Sequence, residues 1–348
     1  MKDFFRRYTM MGFLGGNSGG SGGSGGGSAN EEWFNDGDTH IWITLQEGRT
    51  NPMLRLCLNG TLVVDWGDGT NPDTLTGTSL SRIYSKSHNY AKPGDYIITL
   101  RVTGEITFTG SGGVLRYGSS TDIRDCSYFN SIKKIEIGNN MSDIERSSLS
   151  SHRCLSSVSI QSSVTAVGEG AFSGCYALST VNIQQGLNTI KDSAFSSCYS
   201  LSSITIPDTV TSIGSSAFSS CYSLASVTIP GSVTNIGISM FNNCECLKSV
   251  VINDGITSIP SNMFSSCKGL QSLVIPASIA TIDSSAFFDC GSLIYIDFSK
   301  HTVVPTLSNT SAFSNTGSDL QIRVPAALYD EWKAATNWST YASKIVAV

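Results

Sequence analysis

The chain has 348 residues, 14% of them charged, with 34 glycines and a formal net charge of −5. That length allows two ordinary domains, and the slightly acidic balance excludes the basic footprint that binding to nucleic acid or an anionic membrane requires. No run approaches the roughly 18 apolar residues of a membrane span, so membrane insertion is not expected, and a partner is read by shape and hydrogen bonds.

Residues 1–14, MKDFFRRYTMMGFL, start basic, but the apolar piece from Tyr8 to Leu14 is short, contains Thr9 and Gly12, and lacks a small-residue cleavage site. It reads as a docking or disordered segment rather than a secretory signal. Residues 15–30 form a Gly/Ser linker whose core, GGNSGGSGGSGGGS, has an r.m.s. span of roughly 20 Å as a flexible coil. Such runs occur both as natural tethers and as engineered linkers.

Over residues 31–128 the pattern is short strands and turns. HIWITL (40–45) and TLVVDW (61–66) lead to the tight turn Gly67-Asp68-Gly69, and DYIITLRV alternates, with Tyr96, Ile98, Leu100 and Val102 on one face. Runs at this spacing predict a small β-sandwich. VDWGDGT (64–70) and NYAKPGDYIITLRV (89–102) resemble the PKD domain, an immunoglobulin-like module. The resemblance implies a strand with a Gly-Asp-Gly turn, and a Pro-Gly turn into a late strand. The family's usual aromatic after Trp66 is missing, because Gly67 follows directly.

Residues 129–318 obey a period of 23: Leu155, Leu178, Leu201, Leu224, Leu247, Leu270 and Leu293 form one column, and Phe172, Phe195, Phe218, Phe241, Phe264 and Phe287 another. Copies in such number predict a solenoid, since one coil cannot bury its own apolar edge. Within a unit, Leu224-x-x-Val227-x-Ile229 turns Val227 and Ile229 to one face of a short strand and Ser226 and Thr228 to the other. Pro230 and Gly231 end that strand. The unit AFSSCYSLASVTIPGSVTNIG (217–237) resembles the BspA-like, treponemal-type leucine-rich repeats of bacterial surface proteins. The resemblance implies a right-handed solenoid with a β-sheet on one face, and adhesion or recognition as the usual activity; it carries no binding residue over.

Beyond Lys300 the register breaks, and Phe313 arrives three residues late. Residues 319–348 offer a strand, DLQIRVP, and a short amphipathic helix, AALYDEWKAATNW, with Leu328, Trp332 and Ala335 on one side. This tail is expected to cap the solenoid end. The predicted fold class is therefore β-rich and multidomain: a small β-sandwich, a right-handed leucine-rich-repeat solenoid of 23-residue repeats, and a C-terminal cap.

Six of the ten cysteines, Cys175, Cys198, Cys221, Cys244, Cys267 and Cys290, recur at the same period. Stacked positions carry parallel Cα–Cβ vectors about 4.8 Å apart, whereas a disulfide wants Cβ atoms about 3.8 Å apart and converging, and zinc needs ligands that converge on a point. A column of buried thiols used as small apolar side chains is the expectation. His152 stands where the column should begin, with Cys154 two residues off register as a candidate exposed thiol. Those two are the pair a cysteine-dependent enzyme or sensor would use. Cys244 and Cys246 form a lone CxC without a second pair, so no metal is expected there. Cys57 and Cys126 lie in the N-terminal region, where the sequence allows either a pair or two thiols. His40, His88, His152 and His301 belong to no HExxH, and no GxSxG occurs, so catalytic residues and cofactors are not expected. The acidic stretches NDGDTH (35–40) and Asp65, Asp68 and Asp73 do not match the calcium-loop pattern and read as turn formers.

Candidate ligand-binding residues lie in two rows. On the outer strand face, small residues such as Ser203 and Thr205 or Ser226 and Thr228 give way to Val251, Val274, Tyr295 and Asp297. After each column cysteine, Tyr176, Tyr199 and Tyr222 stack at the coil edge, followed by Glu245 and Lys268. Tyrosine offers large rigid contact area at low entropy cost. The expected function is non-catalytic recognition or adhesion, binding a protein or glycan on a cell surface from an extracellular or surface location. The alternative is a phage tail or receptor-binding protein on a virion, where cytosolic assembly keeps thiols reduced.

Overall fold

A computed structural model of the chain describes residues 33–34, 36–45, 51–108, 115–116 and 131–348; the segments 1–14 and 15–30 and Cys126 lie outside the described residues. The N-terminal strands are β1 (Thr39–Leu45), β2 (Met53–Asp65), β3 (Asp73–Ser87) and β4 (Gly94–Phe108). β1 pairs with β4, β4 with β2, and β2 with β3, all antiparallel. Their alternation buries Ile41, Ile43, Leu62, Val64, Ile98 and Leu100, as the period of two demands. Gly77, Gly60 and Gly104 stand opposite one another across β3, β2 and β4. A Cβ at any of the three would come within 2.1–2.2 Å of a facing backbone oxygen, so only glycine lets the three backbones approach there.

The described strands of this region hydrogen-bond in one continuous order. β1 also pairs antiparallel with β5 (Ser131–Ile137), with Trp42 opposite Lys134. β5 is also the first strand of the repeat array and runs parallel to β6 (Ser157–Ile160), which pairs with β7 (Thr180–Ile183). The order is β7-β6-β5-β1-β4-β2-β3. The antiparallel strands thereby occupy the array's open edge, which would otherwise present unpaired backbone groups.

The repeats continue through β8 (Ser226–Ile229), β9 (Ser249–Ile252), β10 (Ser272–Val274), β11 (Tyr295–Asp297) and β12 (Gln321–Val324). Pairing is parallel and in register with the period, as in Val227 opposite Val250. Two-residue strands such as Thr189–Ile190 and Ser212–Ile213 form a second ladder on the other side of each coil. Between the ladders the phenylalanine column is fully buried, and its rings stack at 5.1–5.8 Å from Phe172 to Phe313. The late residue Phe313 still stacks on Phe287, at 5.2 Å. The three extra residues therefore leave the ladder intact.

At the C-terminal end β12 pairs with β13 (Ile345–Ala347), and the short helix α1 (Tyr329–Ala334) lays Trp332 against Phe298 at 5.2 Å. Trp338 packs on Phe313, and its indole N–H donates to the Pro305 carbonyl at 2.7 Å. Leu328 and Ala335 pack on the same core.

Candidate recognition surface

Each column thiol is fully buried and donates to a main-chain carbonyl of the preceding coil at 3.1–3.3 Å, Cys198 to Phe172 and Cys221 to Phe195 among them. Burial pushes the thiols of Cys175, Cys221 and Cys290 up to about 12, which removes the thiolate that reactivity needs. His152 fills the column's first position, where its Nδ1 donates to the Leu149 carbonyl at 2.9 Å; burial lowers its pKa despite that bond. Its role is therefore that of a column residue. Cys154 is half-buried and Cys246 is exposed. Cys57 is buried. The other histidines are held too: His40 between Asp36 and Thr99, His88 by Asp68 at 2.8 Å, and His301 by the Ile279 carbonyl.

The acidic turns are filled by the chain's own donors. Asp65 accepts the Gly67 N–H, Asp68 accepts from Thr70 and His88, and Asp73 accepts from the Trp66 indole and Lys86.

The tyrosines form the expected edge ladder. Tyr176 and Tyr199 stack at 4.5 Å with rings 2° apart, and Tyr199 and Tyr222 follow at 4.9 Å. The Arg153 guanidinium lies 4.9 Å from the Tyr176 ring centre, and Glu245 and Lys268 extend the row as an ion pair at 2.8 Å. Burial, with the neighbouring tyrosines, raises the pKa of Tyr199. Stacking thus covers the ring faces that neighbouring tyrosines turn toward one another.

The strand face is graded along the solenoid. At its start Lys134 and Glu136 hold the outward positions, yet both are buried. Trp33 and Phe34 cover them: Lys134 Nζ sits 4.0 Å from the Trp33 ring centre and 4.2 Å from that of Trp42, and the Phe34 N–H donates to Glu136 at 2.9 Å. The middle coils present serine and threonine. There a groove of about 460 Å³ lies between Gln185, Ser203, Thr205, Thr228 and Val251. It adjoins a second, of about 570 Å³, lined by Lys248, Val251, Gln271, Val274, Pro276 and Lys300. Val251 and Val274 are 48% and 50% exposed in it. At the far end Arg323 lies 3.8 Å over the Tyr295 ring, and Asp297 accepts the Ser299 N–H at 2.7 Å.

The structure thus gathers Val251, Val274, Tyr295 and Asp297 on one face and Tyr176, Tyr199 and Tyr222 on an edge of earlier coils; the two groups do not meet. Sequence reasoning missed the covered start of the face. Its signal was available in Lys134 and Glu136, a charged pair where later coils place hydroxyls.

A protein-family model for the BspA type leucine rich repeat region, in six copies, matches residues 118–225 and 211–330. Its match begins beyond the PKD-like stretches. No curated protein matches the sequence. Similar solved structures include a leucine-rich repeat protein from Bacteroides ovatus, 27% identical with a TM-score of 0.44, over 58% of this chain and 62% of that one. A leucine rich cell surface protein from Faecalibacterium prausnitzii is 20% identical, with a TM-score of 0.35, over 72% of this chain and 88% of that one. The T. pallidum Leucine Rich Repeat protein is 22% identical, with a TM-score of 0.36, over 63% and 92%. This chain spans less than two thirds of the B. ovatus protein. The family match spans more than half of the chain and covers the repeats whose 23-residue period sets the phenylalanine, cysteine and strand ladders: the chain belongs to the BspA-type leucine-rich-repeat family.

Proposed function

We propose that this chain is a non-catalytic recognition or adhesion protein that binds a protein or glycan ligand through its solenoid surface at a bacterial cell surface. The observation that carries the reading is the strand face: register-locked ladders hold Val251 and Val274 half-exposed in a groove. The column thiols and the histidines, by contrast, are committed to structural bonds. The resemblance of the repeats to those of bacterial surface proteins supports the location. The N-terminal strands are read as a PKD-like module, a reading supported by Trp66, whose indole donates to Asp73 and whose carbonyl accepts from the Tyr90 hydroxyl, tying the two resembling stretches together.

Binding of the full chain to a glycan array and to host and bacterial cells tests the proposal. One variant set replaces Tyr176, Tyr199 and Tyr222 by Ala; the other places Asp at Val251 and Val274. Loss of binding in either set assigns the surface. Absence of binding in every screen, or binding indifferent to both sets, sinks the reading.

A further inference from the structure

We propose that the groove over Val251 and Val274 receives an extended segment of a protein partner, with an aliphatic side chain flanked by acidic ones. The proposal rests on the reading of the strand face as the recognition surface, and it names the ligand class. Two observations carry it.

The first is the floor. Val251, Val274, Pro276 and Ala277 make it aliphatic, and no aromatic side chain lines the groove. Sugars are held by flat aromatic faces, whereas aliphatic side chains gain from burial against valines. The second is the charge on the rims. Lys248 stands on one side, in the register row of Gln271 and Ile294, and Lys300 on the other, in the row of Asp254 and Ala277. Neither lysine has an ion-pair partner among the described residues. Lys268, on the neighbouring coil edge, is neutralised by Glu245. The groove's charged lining is Lys248, Lys300 and the single carboxylate Asp254, a net charge of +1 in a chain of net charge −5. Complementary charge of this kind steers and selects a partner. Strands repeat at about 4.8 Å, so Lys248 and Lys300 are offset by two rungs, about 10 Å, along the array, and by the width of the strand between the two rims as well. An extended segment that crosses Val251 and Val274 diagonally runs from one cation to the other.

The test uses the full chain with ¹³C-labelled Val, Leu and Ile methyl groups, titrated with the peptide Gly-Ser-Glu-Val-Glu-Val-Glu-Ser-Gly. Control peptides carry Lys for Glu, or Ser for Val. The Glu/Val peptide is expected to shift the Val251 and Val274 methyl resonances saturably, with both controls at least fivefold weaker. Lys248→Glu combined with Lys300→Glu is expected to reverse the preference toward the Lys/Val peptide. Both lysines are exposed, and circular dichroism verifies that the double variant is folded. No shift at these methyls, a preference unchanged by the charge reversal, or a glycan that shifts the same methyls while the peptide does not, overturns the proposal. If the chain binds cells and the double reversal leaves that binding unchanged, the groove assignment fails while the recognition reading stands.

Discussion

Cys221 offers the sharpest test of why the repeats use a thiol. Its side chain is fully buried, and its S–H donates to the Phe195 carbonyl at 3.3 Å. That carbonyl already accepts the Cys198 N–H within its own coil. Cys221→Ala therefore strands no buried acceptor. It removes roughly a methylene's worth of apolar burial, about 0.8 kcal/mol, and leaves a small cavity worth about 0.5 kcal/mol more. The expected loss is about 1.3 kcal/mol. Cys221→Ser keeps a donor and much of the volume, but it trades an apolar sulfur for a buried hydroxyl whose lone pairs have no partner, a penalty of about 1–3 kcal/mol. The expected order is wild type, then Ala, then Ser, with Ser about 2–3 kcal/mol below wild type. Urea unfolding followed by tryptophan fluorescence measures it, since Trp332 and Trp338 are buried at the solenoid end. If the Ser variant matches or exceeds wild type, the hydrogen bond rather than the apolar bulk explains the column, and the reasoning fails.

Phe241 sits mid-ladder between Phe218 and Phe264 at 5.7 and 5.8 Å, so Phe241→Ala should cost about 3–5 kcal/mol, read as a lowered urea midpoint. Trp338→Ala removes a fully buried indole from the cap, and limited proteolysis should then cut the last coils before the middle ones. Asp68 is nearly buried: desolvation works to raise its pKa, but hydrogen bonds from Thr70 and His88 outweigh it and hold the carboxyl below its ordinary 3.8. Its stabilising share is thus full above the ordinary value and is lost as pH falls through the lowered one. Asp68→Asn should flatten that acid limb, measured as urea midpoints at a series of pH values below about 5.

The coil could be read from sequence because its causes are local and repeated. The alternation at Val227 and Ile229 sets the strand, the 23-residue spacing forces stacking, and parallel Cβ vectors alone exclude bridges along the cysteine column. The junction was not legible. Trp42 and Lys134 pair across the chain with no local trace, and β3 hides because most of its DTLTGTSLSRIYSKS is half-buried or exposed and lacks apolar alternation. A subtler pattern lies in serines away from the strands. Ser193 and Ser197, like Ser216 and Ser220, have φ between +54° and +60°, in the left-handed region. Gly170 and Gly174 occupy the same register one coil earlier, and that mixture of Gly and Ser was the available signal. At the candidate site, the outward position of Val251 and Val274 followed from the period. The engagement of Tyr295 by Arg323 did not, because the 26-residue last coil shifts that pairing out of the simple count.

The two ends of the array are anchored differently from its middle. Of the array's strands β1 pairs with β5 alone, and the tryptophan cap packs on the closing coils, while the interior units meet neighbours of their own kind. Insertion or deletion of one whole 23-residue unit between them should leave both anchorages untouched and move the groove by about 4.8 Å relative to the N-terminal sheet. The distance between anchor and binding surface is therefore an adjustable length, set by copy number in fixed steps and independent of the chemistry displayed at the end.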